Sequence, residues 1–218
     1  MSQPKTTSGF TLIEIFVVIG ISAMLIALSA PFVTSLQSDI SMQQTLRQVK
    51  VDLVSTLNYS LAGKSFAALS AKQLMNPELI PEAYALYFQV DPSYGAQTPY
   101  DYLEFTANSD SEQKSLKSSY QKQNDYPNSS VYLKSITLLN SRKQSHLDLK
   151  NAFIFILPPF GKVIFLNENL ESLAHLNSEK LEKNMDEYDQ IKLTFQYKDD
   201  SKNAITLSFD KNKILNIL

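Results

Sequence analysis

Across residues 6–38 the sequence carries one ionisable side chain, Glu14. Residues 15–33 are 19 in number and almost wholly apolar. As helix they span about 28 Å, close to the hydrocarbon thickness of a bilayer. That length and the apolar character on every side predict a membrane-facing helix. A plain single-pass anchor fits the length. A secretory signal peptide also fits, because Ala27 and Ser29, in the run Ala27 to Ser29, offer the small residues of a cleavage site. Neither has a use for Glu14, since a carboxylate within an apolar span is costly and rare without a task. The only basic residue before the run is Lys5, which is thin for either reading.

The stretch "SGFTLIE", Ser8 through Glu14, resembles the N-terminal motif of the type IV pilin and type II secretion pseudopilin superfamily. The resemblance rests on Gly9, Phe10, the Thr-Leu pair that follows, Glu14 and the apolar tail, all at the family's offsets. It implies that a prepilin peptidase removes residues 1–9 by cutting the Gly9–Phe10 bond, and that the new terminal Phe10 is N-methylated. It implies that Glu14, fifth after the cut, pairs with the terminal amine of a neighbouring subunit. Pro31 falls where the family often bends its helix. Partners implied are other pilin or pseudopilin subunits through the N-terminal helix, membrane lipid and an inner-membrane assembly platform. The implied product is a structural subunit of a type IV pilus or type II secretion pseudopilus, minor rather than major. It is single-pass in a bacterial inner membrane, with its head outside the cytoplasm, before it enters the filament. The pattern "LRQVKVDLVSTLNYSLAGKS" is similar to the helix end of H-type minor pseudopilins. The competing reading is a membrane-anchored binding protein with a β head that never polymerises.

Beyond the apolar run, Leu36, Ile40, Leu46, Val49, Leu53, Leu57 and Leu61 recur at mostly three- and four-residue spacings. That predicts an amphipathic continuation holding the helix to a globular head. Gly63 is its predicted stop, and Gly20 and Pro31 are where it would bend or melt. The division read from the sequence is a leader (1–9), a helix (10–62, membrane-spanning about 10–33 and amphipathic about 34–62) and a β-rich head (63–218).

In the head the period changes to two. Tyr84, Leu86, Phe88 and Val90 share a face, as do Ile191, Leu193, Phe195 and Tyr197, then Ile205, Leu207 and Phe209. "FIFIL" and "KVIFL" flank "PPFG", a hairpin turn. "VYLKSITLL" reads as a strand of mixed faces. "DDSKN" and "DKNK" read as turns, and "KILNIL" as a last strand. The fold class is α+β, a long N-terminal helix on an antiparallel sheet. Residues 107–128 and 167–189 are polar and read as solvated surface loops, the second with a short helix near Leu170 to Leu176.

Little in the chain suggests chemistry. There is no cysteine, and His146 and His175 lack ligand spacing. Asp91, Asp101 and Glu104 cluster in sequence without a calcium-loop pattern. With 5 glycines in all, no phosphate-cradling loop is read. No enzyme activity, cofactor or metal is expected. Twenty Lys plus Arg against 22 Asp plus Glu offers no basic stripe, so nucleic acid is not expected as a partner.

Overall fold

The computed structural model describes residues 11–64, 81–90, 100–107, 116–126, 130–167, 187–198, 200–213 and 215–217. Helix α1, Leu12–Ala62, comes first. Among the described residues ten strands follow: β1 Ala83–Gln89, β2 Tyr100–Ala107, β3 Leu116–Asn124, β4 Val131–Asn140, β5 Ser145–Leu149, β6 Asn151–Leu157, β7 Lys162–Leu166, β8 Gln190–Tyr197, β9 Asp200–Asp210 and β10 Leu215–Ile217. They form two antiparallel five-stranded sheets, ordered β3-β2-β1-β6-β7 and β10-β9-β8-β4-β5. The α+β architecture expected from the sequence is therefore present. The chain divides into two compact units, Met1–Ile40 and Ser41–Leu218. The second half of α1 belongs to the same unit as the sheets.

That second half supplies Met42, Leu46, Val49, Leu53 and Leu57 to the core. The first sheet adds Tyr84, Leu86, Phe88, Ile154 and Phe165, and the second adds Ile136, Leu138, Leu193, Phe195 and Phe209. Three members of the stripe read from the sequence do not join it: Leu36, Ile40 and Leu61 are exposed. Helical geometry explains the correction. At about 100° per residue, Leu61, Leu36 and Ile40 lie roughly 120°, 140° and 180° round the helix from the fully buried Val49. The positions flanking Val49 are instead Thr45, Thr56 and Ser60, all buried. Thr45 and Thr56 return their hydroxyls to the carbonyls of Ser41 (3.1 Å) and Asp52 (2.6 Å), so these polar groups enter the core already bonded.

The helix ends where Gly63 places it. Gly63 has φ 60°, its N–H donates to the Ser60 carbonyl, and that of Lys64 donates to the Tyr59 carbonyl at 3.1 Å. This is the paired pattern of a Schellman cap.

Strands β1, β6 and β7 are buried on both faces, not one. Ala83, Ala85, Tyr87, Phe153, Phe155, Ile164 and Leu166 form a second apolar cluster on the face opposite the first. Their unbroken apolar runs are what a doubly buried strand requires. The mixed faces of β4 have a local cause. Its register with β8 shifts between Leu133 and Ser135, so Val131 and Leu133 are buried before the bulge, and Ile136 and Leu138 after it.

Two loops expected from the sequence are corrected. Residues 107–128 are not one solvated loop, because β3 lies inside them and pairs along β2. The segment read as the turn "DDSKN" is mostly strand, since β9 begins at Asp200 and its register with β8 is irregular beside Tyr197. The "PPFG" hairpin is present, closed by the Leu157–Lys162 pair, with Gly161 at φ 60°. The short helix expected near Leu170 to Leu176 lies outside the described residues.

Candidate functional site

The residues singled out for assembly lie at the start of α1. Gly9 and Phe10, the expected cleavage pair and terminal residue, lie outside the described residues. Glu14 is described, and its setting is specific. The backbone N–H of Thr11 donates to Glu14 Oε2 at 2.8 Å, and Thr11 Oγ1 donates to the same oxygen at 2.9 Å. In return the Glu14 N–H donates to Thr11 Oγ1 at 3.3 Å. This reciprocal arrangement is a capping box, with Thr11 at the N-cap and Glu14 three residues on. It satisfies two of the N–H groups that a helix start leaves without partners. The T-x-x-E spacing was readable in the sequence, and weighing Glu14 only as an assembly residue passed over it. Both Thr11 hydroxyl and amide use one oxygen, Oε2. The box does not consume the other oxygen, and a carboxylate has about four acceptor sites.

From Leu12 to Val33 the large apolar side chains are exposed on every side of the helix. Leu12, Ile13, Phe16, Ile26 and Phe32 each leave about two thirds or more of their surface open. This is the one helix among the described residues long and apolar enough to cross a membrane. Three hydroxyls in and just beyond it are bonded within the helix: Ser29 to the Ile26 carbonyl (3.0 Å), Thr34 to the Pro31 carbonyl (2.9 Å) and Ser35 to the Phe32 carbonyl (3.1 Å). Groups so paired can enter hydrocarbon at little further cost. Pro31 stands inside the helix and brings no N–H to the carbonyl four residues back. The helix continues through both Gly20 and Pro31, and neither melts it. A Cβ added at Gly20 would meet nothing within 4 Å, so no contact within the chain demands glycine there.

The scattered acids and histidines do not assemble into a site. Asp101 and Glu104 lie on opposite faces of β2, both buried. Tyr102 donates its hydroxyl to Glu104 Oε1 at 2.9 Å. Burial pushes the Asp101 carboxyl above its usual range, with a Gln121 hydrogen bond opposing. His146 is exposed on β5, and Asp91 and His175 lie outside the described residues. Among the described residues no group of three or more His, Asp or Glu could hold a metal ion.

A polar cluster that the sequence reading missed lies between the second half of α1 and the first sheet. Asp52 accepts the Tyr100 hydroxyl, both carboxylate oxygens receive Gln48 Nε2 at 3.2 Å, and Asn124 Nδ2 approaches at 3.5 Å. The cluster ties the helix to β2 and β3 by donors aimed at one carboxylate, a structural arrangement. No family model matches the chain, and no curated protein or solved structure matches it either.

Proposed function

We propose that this chain is a prepilin-like structural subunit. In this reading it is cut at Gly9–Phe10, methylated on Phe10, and assembled through its N-terminal helix into a type IV pilus or type II secretion pseudopilus as a minor subunit. The membrane would be a bacterial inner membrane, with the β-rich unit outside the cytoplasm until assembly. The observation that carries the reading is a carboxylate at the fifth position after the Gly9–Phe10 bond, at the head of a helix whose apolar side chains are exposed all round. Such a surface needs either lipid or the helices of other subunits. A carboxylate within it becomes tolerable when a neighbour's terminal amine pairs with it, and the pair then sets how far an incoming subunit slides.

The capping box favours a second reading, the membrane-anchored binding protein, because it gives Glu14 a use that needs no neighbour. Glu14→Gln separates the two. Glutamine serves at the third position of a capping box as glutamate does, but it carries no charge for an amine. The test is a fractionation blot with the variant as the only copy. As a filament subunit, Glu14→Gln remains processed and accumulates in the membrane, missing from sheared or secreted filament fractions. Absence of parent and variant alike from those fractions would leave the anchor reading standing, and equal recovery of both would show that the charge of Glu14 does not direct assembly.

A further inference from the structure

Strand β5 ends the order of the second sheet, and among the described residues no strand pairs with its outer edge. Its five residues, Ser145, His146, Leu147, Asp148 and Leu149, are exposed except for the half-buried Leu149. The hairpin that presents it is pinned. The Ser141 N–H donates to both Asp189 carboxylate oxygens at 3.1 and 3.0 Å, and the Lys143 N–H donates to Asn140 Oδ1 at 2.9 Å. Gln144 takes a left-handed φ of 50° just before the strand. An open edge held in extended form is a ready template for another strand.

The order of side chains says which strand fits. In the ladder with β4, Leu147 lies opposite the buried Leu138, and Asp148 opposite Thr137. Leu147 and Leu149 therefore sit on the core face, and His146 and Asp148 on the outer face, where Asp148 Oδ1 accepts the Thr137 hydroxyl at 2.7 Å. An edge guarded against pairing carries charged side chains, lysine above all, prolines, bulges or inward-pointing charges. This edge carries a basic and an acidic residue placed symmetrically about one leucine.

We propose that the outer edge of β5 is a homotypic docking strand: two copies of this chain pair there antiparallel, centred on Leu147, joining their second sheets. In that register His146 of each copy faces Asp148 of the other, twice over by symmetry, on the outer face. The two Leu147 side chains meet on the other face, beside Leu138, and close the border of the core where Leu147 is now 36% exposed. Ser145 faces Leu149 at each end, and no like charges stand opposite. Polar pairs that can hydrogen-bond and apolar pairs directly across an antiparallel ladder stabilise it, whereas like charges there do not. The chemistry is independent of the N-terminal helix and would stand whether or not the chain forms filaments.

A five-residue ladder buries less than the roughly 1,000 Å² of a stable complex, so covalent trapping reads it better than sizing. The chain has no cysteine, so Leu147→Cys introduces the only thiol. In the proposed register the two Cα atoms are about 4.5–5.5 Å apart, within the span of roughly 4.4–6.8 Å that a disulfide bridges. Ser145→Cys is the control, because its two copies would lie roughly 13 Å apart along the strands at about 3.3 Å per residue. The full-length protein in membranes is oxidised, and dimer is read on a non-reducing gel, with circular dichroism confirming each fold. Dimer is expected with Leu147→Cys, several-fold above that with Ser145→Cys. Adding His146→Asp to Leu147→Cys should lower it, and adding Asp148→His as well should restore it. A variant that merely disturbed the fold, or lost the Thr137 bond, would not be rescued by the swap. Equal trapping by the two thiols, none with Leu147→Cys, or trapping with Leu147→Cys indifferent to the charge swap would overturn the proposal.

Discussion

The two halves of α1 are built to different specifications. From Leu12 to Val33 the side chains are apolar on every side and exposed on every side, and the Ser29 hydroxyl among them is bonded back to the helix. From Ser41 onward, apolar Met42, Leu46, Val49, Leu53 and Leu57 and small Thr45, Thr56 and Ser60 are buried, while Gln43, Gln44, Arg47 and Lys50 stay in water. The difference teaches what periodicity means in a helix. Without a polar face, the surroundings must be apolar all round. With one, a single side meets a core. A continuous helix can obey both rules in turn, because its backbone bonds are satisfied locally and only its side chains report the solvent.

The comparison breaks first by truncation. A product of residues 36–218 loses the all-round apolar stretch and keeps every buried helix residue, so it should be soluble with mixed helix and strand signal. A product starting after Leu61 loses Met42, Leu46, Val49, Leu53 and Leu57 from the core and should aggregate. Equal solubility and stability of the two would mean that the second half does not belong to the core.

Single residues sharpen it. In the 36–218 product, Leu53→Ala removes a side chain with 0% exposure and should cost about 2–5 kcal/mol in denaturant unfolding. Val54→Ala, one position on and 44% exposed, should stay within about 0.5 kcal/mol. Similar costs at both positions would contradict the assigned buried face.

The buried face also predicts an alkaline limit. Burial pushes the hydroxyls of Tyr84, Tyr100, Tyr102 and Tyr126 above their usual value of 10.0, with Glu104 adding to Tyr84 and Tyr102, and Asp52 to Tyr100. A group whose folded pKa is raised gives stability that is whole below its unfolded value and is lost as pH climbs beyond it. The 36–218 product should therefore unfold cooperatively above about pH 10, with part of the phenolate absorbance rising only as circular dichroism is lost. Complete phenolate formation in a still-folded chain would show these tyrosines to be solvated.

Much of this was legible in the sequence because it rests on local rules. Gly63 ends the helix by a conformation that glycine adopts freely, and the alternating runs of β8 and β9 need no partner to be recognised. What escaped depends on partners. Strand β3 is polar along much of its length, "LKSSYQKQN", and is a strand because β2 pairs with it. The face shift in β4 comes from a bulge that only its pairing with β8 reveals. Thr45, Thr56 and Ser60 look hydrophilic in a list of residues, yet they are buried beside Val49, two of them with hydroxyls turned back onto the helix. At the candidate site, Glu14 stood out for its charge, while its local partner Thr11, three residues back, was overlooked.

The mass of the mature chain tests the central claim most directly. Intact-mass and N-terminal peptide measurement on protein from the membrane should give a chain that begins at Phe10 and carries one added methyl group, and Gly9→Val should leave the leader in place. A chain that begins at Met1, or one cut near Ala30 as a secretory signal would be, would contradict the prepilin reading.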